Sequence, residues 1–211
     1  MSRQPHLVVT IEGVLTNDPL RHFWELIEAA SGVDSQDIQE RFSDELGEAL
    51  FSGKVPEEAF WQWLRSSYQL DDQSYWHQLL LERRYPLLGM HLLPRLATQS
   101  RITLLCGQRH EWFEGLIKAE DAAYAASRVI YSSKVGLTKR DPELYQKLRV
   151  DGRDNLLLDN SRHALQLAEA HGFSAFPADQ EMRWVDTLVG QLDRLNKTGR
   201  KGWRGLLSPK Y

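Results

Sequence analysis

The run His6-Leu-Val-Val-Thr-Ile-Glu-Gly-Val-Leu-Thr16 constrains this chain more than any other. Leu7, Val8 and Val9 form an unbroken apolar stretch rich in β-branched residues, the pattern of a strand buried on both faces of a parallel sheet. Thr10 and Glu12 follow two residues apart, so their oxygen-bearing side chains point the same way. Gly13 then permits a sharp turn away from the strand end. In open α/β sheets that carboxyl end is where ligands bind. A phosphoryl-transfer enzyme built on such an end needs Asp-x-Asp, one carboxylate as nucleophile and metal ligand and the other as general acid/base. Here Thr stands in the first place and Glu in the second.

Helical patterns alone fill the next stretch, to about residue 84. Asp18-Pro19 caps and opens a helix carrying Leu20, Phe23, Trp24 and Ile27, which Gly32 stops. Ile38, Phe42, Leu46 and Leu50 lie four apart on a second helix that closes near Gly53. Pro56 opens a third with Phe60, Trp63 and Leu64 on one face, and a fourth runs from Asp72 until Pro86 blocks it.

The pattern then alternates. A short helix over Gly89–Ala97 precedes a strand over Arg101–Gly107, a helix over Glu111–Ala126 and a short strand at Val129–Tyr131. Asp141-Pro142 caps a helix carrying Leu144, Tyr145 and Leu148. The strand Asn155–Asp159 ends in a carboxylate, a helix with Ala164, Leu165 and Ala168 closes at Gly172, and a strand over Phe173–Pro177 follows. The last long helix turns Met182, Val185, Leu188, Val189 and Leu192 inward. Strands alternating with helices imply right-handed crossovers and a sheet covered on both faces. The expected architecture is a three-layer α/β, Rossmann-like parallel sheet with a four-helix cap inserted after the first strand. Residues 1–16 and 87–195 are assigned to the core, 17–86 to the cap and 196–211 to a basic tail.

Of the 26 basic residues, Lys197, Arg200, Lys201, Arg204 and Lys210 lie in that tail, which holds no acidic residue. The body thus carries 21 basic against 29 acidic side chains, a net −8, and is a poor general partner for nucleic acid. The single cysteine, Cys106, excludes an intrachain disulfide and fits a reducing compartment. No apolar run is long enough to span a membrane and no hydrophobic leader opens the chain, so a cytoplasmic location is expected.

Four segments, in order, resemble the motifs of the haloacid dehalogenase-like (HAD) superfamily: Thr10-Ile-Glu-Gly-Val-Leu15, Leu104-Leu-Cys-Gly107, Gly136-Leu-Thr-Lys-Arg-Asp-Pro-Glu-Leu-Tyr145, and Leu156-Leu-Leu-Asp-Asn160. The insertion after the first motif is similar to the small helical cap of that superfamily's first class. Leu50-Phe-Ser-Gly-Lys-Val-Pro-Glu-Glu-Ala-Phe60 looks most like its sugar-phosphate phosphatase branch. The resemblance implies roles for Thr10, Glu12, Cys106 and Lys139 as the equivalents of the catalytic positions, and for Asp159 and Glu12 as metal ligands.

Against that pattern, Thr10 replaces the nucleophilic Asp, Cys106 a hydroxyl that donates to phosphate, Arg140 the usual Pro, and Asn160 an acidic residue. A neutral hydroxyl carries no charge to hold a hard cation, so Mg²⁺ is expected to bind weakly. An anion could be held by Lys139 and the backbone N–H groups after Glu12. The function expected is therefore a non-catalytic binding or regulatory module, a pseudophosphatase. The alternative is a Mg-dependent hydrolase of small phosphate monoesters such as sugar phosphates. Plainer roles stand beside these: Thr10 capping its turn, Cys106 as a small buried apolar group, and Lys139–Asp159 as a structural ion pair. His110 and Trp112 read as helix-start and packing groups, and Trp24, Trp61, Trp63 and Trp76 chiefly as cap core. Expected partners are a small phosphorylated ligand, or a protein docking on the cap aromatics or the basic tail, which otherwise reads as a solvated, mobile end.

Overall fold

The computed structural model describes residues 4–120, 122–179 and 181–206. Five strands, β1 (His6–Thr10), β2 (Arg101–Cys106), β3 (Arg128–Tyr131), β4 (Asn155–Asp159) and β5 (Phe173–Pro177), form one sheet in the order β3-β2-β1-β4-β5. Every pairing is parallel, with Val8 opposite Thr103 on one side and Leu157 on the other. The strand of the opening motif is therefore the central one. Alternation along it divides the core: Leu7 and Val9 join Leu104, Leu156 and Leu158 on one face, while Val8, Leu105 and Leu157 face the other. The second face is covered by α10 (Pro142–Leu148) and α11 (Arg162–Ala170), through Leu144, Tyr145, Leu148, Ala164 and Ala168. The first is covered by α6 (Leu88–Gln99), α7 (His110–Ala119) and α12 (Trp184–Leu206). This is the expected three-layer α/β arrangement.

Between β1 and β2 the chain makes α1 (Pro19–Ser31), α2 (Ser35–Phe42), a π-helical turn (Ser43–Gly47), α3 (Glu48–Phe51), α4 (Glu57–Tyr68) and α5 (Gln73–Glu82) before α6. The Asp18 carboxylate accepts from Leu20 N–H, and Gly32 closes α1 in the left-handed region, as its sequence anticipates. The expected second helix has a π turn in its middle, for a geometric reason. Residues four apart drift about 40° per step around an α-helix. One wider turn brings Ile38, Phe42, Leu46 and Leu50 back to a common side.

The insertion's aromatic side chains do not form a separate core. Phe60, fully buried, has Phe42, Trp61 and Trp112 at centroid distances of 5.6, 4.8 and 5.5 Å, and Trp112 belongs to α7 beside the sheet. Trp24 and Trp61 are buried, whereas Trp63 and Trp76 are only partly so.

Polar contacts fix the insertion to the sheet domain. Asn17 Nδ2 donates to Arg83 O at 2.7 Å and its Oδ1 accepts from Tyr85 N–H at 2.8 Å, tying the entering and leaving segments together. Buried Arg109 donates to Val55 O at 3.0 Å and is held by Glu111. Trp112 Nε1 donates to Glu57 Oε1 at 2.7 Å. Gly53 has φ +75°, and a Cβ there would lie 2.1 Å from the Ser133 carbonyl oxygen, so only glycine fits against that backbone.

Three expectations are corrected. The helix expected over Glu111–Ala126 is two, because α7 is capped at Glu120 and α8 spans Ala122–Ala125. Met182 precedes the last helix, at φ +60°, and so is not one of its inward residues. The helix α12 continues through Leu206, so the basic segment from residue 196 begins as helix rather than as a free end. Residues 207–211 lie outside the described ones.

At the amino ends of the strands, His6 is buried between Asn155 Oδ1 (3.0 Å from Nδ1) and Thr103 Oγ1 (2.8 Å from Nε2). Asn155 Nδ2 donates to Val150 O and Arg153 O, which orients Oδ1 as the acceptor for the His6 Nδ1 proton. Burial pushes the imidazole below its ordinary pKa, and the guanidinium groups of Arg128, Arg101 and Arg153 add to that. The unfolded chain binds this proton more readily, so the stability His6 contributes is present above pH 6.5 and lost as pH falls below it. Urea midpoints should therefore fall as pH drops from 6.5 toward 5, with a shallower fall in His6→Gln. An equal slope in the two proteins would remove His6 as the cause.

Candidate functional site

Three strand ends and one loop converge where the sheet's carboxyl edge meets the insertion. β1 supplies Thr10 and then Glu12, β2 leads into Gly107 and Gln108, and β4 ends in Asp159. Lys139 comes from the loop before α10. That loop is fixed from both sides: Asp141 Oδ2 accepts from Thr138 N–H at 2.6 Å and from Thr138 Oγ1 at 3.0 Å, and Tyr145 OH donates to Lys139 O at 2.8 Å. The Asp141 side chain thus closes the loop and makes no cap to α10.

The Lys139 ammonium lies 3.3 Å from Glu12 Oε1 and 3.3 Å from Asp159 Oδ2. Thr10 Oγ1 donates to Asp159 Oδ2 at 2.5 Å, and Ser161 N–H donates to Asp159 Oδ1 at 2.7 Å. Gly107 N–H donates to Glu12 Oε1 at 2.8 Å. A Cβ at residue 107 would sit 2.4 Å from that oxygen and 2.8 Å from Lys139 Cε, so the close approach of Glu12 and Lys139 requires glycine. Burial raises the Glu12 carboxyl above its ordinary pKa, and the attraction of Lys139 offsets this only in part. Burial by itself would lower Lys139, but Glu12 and Asp159 outweigh it and hold the ammonium above its ordinary value.

Of the sequence-derived site residues, Thr10, Glu12, Lys139 and Asp159 are brought together. Cys106 stands near them, fully buried, its thiol 3.7 Å from Gln108 O. Burial raises the thiol's pKa well above normal, so it behaves as a packing group. A cavity of about 660 Å³ adjoins these residues, its lining including Glu12, Gln108, Lys139 and Arg140 together with Phe42 and Phe51. Thr10 and Asp159 are both 0 % exposed and are not among the cavity's lining residues. The Thr10 side chain is therefore closed off from the cavity.

A divalent cation makes particular demands on such a donor set. Mg²⁺ requires near-octahedral oxygen ligands, with carboxylates supplying the charge. Both Asp159 oxygens and Glu12 Oε1 already accept hydrogen bonds, and an ammonium occupies the space between the two carboxylates. Among the described residues no group of three His, Cys, Asp or Glu side chains could hold a metal ion. The residues present do not fit Mg²⁺. The backbone donors after Glu12 are likewise engaged, Gly13 N–H with Thr16 O at 2.7 Å and Leu15 N–H with Ile11 O at 2.9 Å.

Gln108 and the aromatic pair Phe42 and Phe51 were not legible as site residues. Phe42 reads as one more apolar position of a helix, and only the π turn beside it brings Ser43 and Gly47 to the cavity.

No protein-family model matches the chain, and no curated protein matches it. Solved structures do. A HAD family enzyme from Bacteroides thetaiotaomicron, crystallised with magnesium, superposes with a TM-score of 0.71 at 18 % identity over 88 % of this chain and 98 % of that one. A HAD-like family hydrolase from Porphyromonas gingivalis gives 0.69 at 19 % identity, covering 90 % and 98 %. A dehalogenase gives 0.59 at 15 % identity, covering 82 % and 84 %. The chain therefore has the fold of HAD-family hydrolases. Among the described residues, no helix is long and apolar enough to cross a membrane.

Proposed function

We propose that this chain is a HAD-superfamily protein with the small helical cap of the first class, that it has lost phosphatase chemistry, and that it works as a non-catalytic binding or regulatory module. One observation carries this reading: Thr10, fully buried, spends its hydroxyl proton on Asp159 where a nucleophilic carboxylate would face substrate. A hydroxyl so placed cannot reach a phosphoryl group in the cavity, and Lys139 already neutralises one of the two carboxylates around it. The solved structures that share the fold include enzymes crystallised with magnesium, whereas here both Asp159 oxygens and Glu12 Oε1 are spent on Lys139 and neighbouring N–H and O–H groups.

The test is hydrolysis of a panel of phosphate monoesters, sugar phosphates included, with Mg²⁺, comparing wild type with Thr10→Asp. The wild type should be silent on every ester. Turnover by the wild type in proportion to purified protein, abolished by Asp159→Asn, would instead establish the hydrolase alternative. Turnover by Thr10→Asp alone would show that only the nucleophile is missing.

A further inference from the structure

At the amino ends of the strands, a strand's length of about 17 Å from the cavity, lies a second groove of about 940 Å³. Its charged lining residues are two arginines, Arg101 at the start of β2 and Arg153 just before β4, and among the described residues no acidic side chain lines it. Arg128 brings a third guanidinium close by, since it pairs in register with Thr103, two residues along β2 from Arg101. Arg128 is committed: Nε donates to Thr103 Oγ1 at 3.0 Å and Nη2 to Leu148 O at 3.3 Å, at the end of α10. Arg101 and Arg153 are not. Among the described residues the Arg101 guanidinium makes no hydrogen bond, and Arg153 makes one, to Gln4 O at 2.6 Å. None of the three has a described carboxylate within 4.0 Å, since Asp151 lies by Arg149 and Asp154 pairs with none of them. Burial lowers the Arg128 pKa and Arg101 lowers it further, with no carboxylate to offset either. Cations so placed repel one another, and an anion relieves them. The same groove holds an aromatic ring: Tyr124 is 87 % exposed, and Ala97, Ala125 and Ala126 complete an apolar part of the lining. Two guanidinium groups match a phosphate monoester, which carries about −1.5 to −2 charges at pH 7, and an exposed ring offers a surface on which a base can stack.

From this pairing of two unspent guanidinium groups with an exposed ring in one groove, we infer that the amino ends of the strands bind a nucleoside monophosphate, its phosphate held by Arg101 and Arg153 and its base stacked on Tyr124. The site is separate from the cavity and stands whether or not the cavity turns over phosphate esters. The body carries a net −8 outside this patch of positive charge, so a single short anion is favoured over a nucleic-acid strand.

The test titrates AMP, adenosine and ribose 5-phosphate calorimetrically into the full-length protein, at low ionic strength and without added metal. AMP should bind tightest. Arg101→Gln, an exposed change that breaks no side-chain hydrogen bond among the described residues, should weaken AMP and ribose 5-phosphate by about tenfold or more, the range of a hydrogen bond to a charged group. Tyr124→Ser should weaken AMP by about fivefold or more and leave ribose 5-phosphate within a factor of about two, because only AMP has a base to stack. Arg140→Gln, in the lining of the other cavity, should leave AMP binding as it is. No binding by AMP, adenosine bound as tightly as AMP, or AMP binding indifferent to Arg101→Gln would overturn the inference. Ribose 5-phosphate bound as tightly as AMP would overturn the nucleoside as ligand. Loss of AMP binding in Arg140→Gln and not in Arg101→Gln would put the nucleotide in the cavity and overturn the inference as well.

Discussion

Lys139→Met is expected to destabilise the protein by about 3–5 kcal/mol at neutral pH, the cost of removing one partner from a buried ion pair. Asp159 is 0 % exposed and Glu12 6 % exposed, and their shared cation lies 3.3 Å from each. Without it, two like charges face each other with little water to screen them. The native carboxyl groups of the variant would then hold their protons more firmly than in the unfolded chain. Native protein binds the extra proton in that window, so the variant's stability falls as pH rises through it. The loss relative to wild type should be largest at neutral pH and shrink toward the ordinary carboxyl range near 4.5. Lys139→Arg, which keeps the charge, should recover most of the stability. Urea unfolding at several pH values decides the matter, and a loss independent of pH would mean that Lys139 contributes packing rather than charge.

Phe60→Ala should cost a similar amount, about 3–5 kcal/mol, for a different reason. Phe60 is fully buried and touches rings from α1, α2, α4 and α7, among them Phe23, Trp24, Phe42 and Trp112. Deleting the ring leaves a cavity at the junction of the insertion and the sheet domain, where Gly53 and Arg109 already fix the backbone and limit collapse. Because that cluster is continuous with the residues of β1, β2 and β4, the insertion and the sheet should unfold together. Tryptophan fluorescence and far-ultraviolet circular dichroism should report one coincident transition in wild type. A loss of only about 0.5 kcal/mol, the size of a surface change, would show that the junction repacks.

The sheet was legible because its signals are local and redundant. Leu7 to Val9 and Leu156 to Leu158 are unbroken apolar runs bounded by polar ends, Ile102 to Cys106 is apolar but for Thr103, and each lies in a strand. The caps at Asp18 and Gly32 were equally readable, since a side chain and a backbone angle decide them within two or three residues. The helix break at Glu120 and the left-handed Met182 were not, because apolar spacing runs on through both places. At the site, the resemblance of four motifs to a known family implied that Thr10, Glu12, Lys139 and Asp159 come together, but not the direction of their hydrogen bonds. That Thr10 donates beneath Asp159, and that Gln108 leaves an oxygen unpaired, depends on contacts between residues up to 149 positions apart. No local pattern records such contacts.

The most direct measurement is a calorimetric titration of Mg²⁺ into wild type and Thr10→Asp. The wild type should give no saturable heat, because both Asp159 oxygens and Glu12 Oε1 are spent on Lys139, Thr10, Ser161 and Gly107. The variant, with a third carboxylate beside Asp159, should bind the ion. Saturable binding by the wild type as tight as by the variant would contradict the proposal that Thr10, in place of a carboxylate, has cost this site its metal.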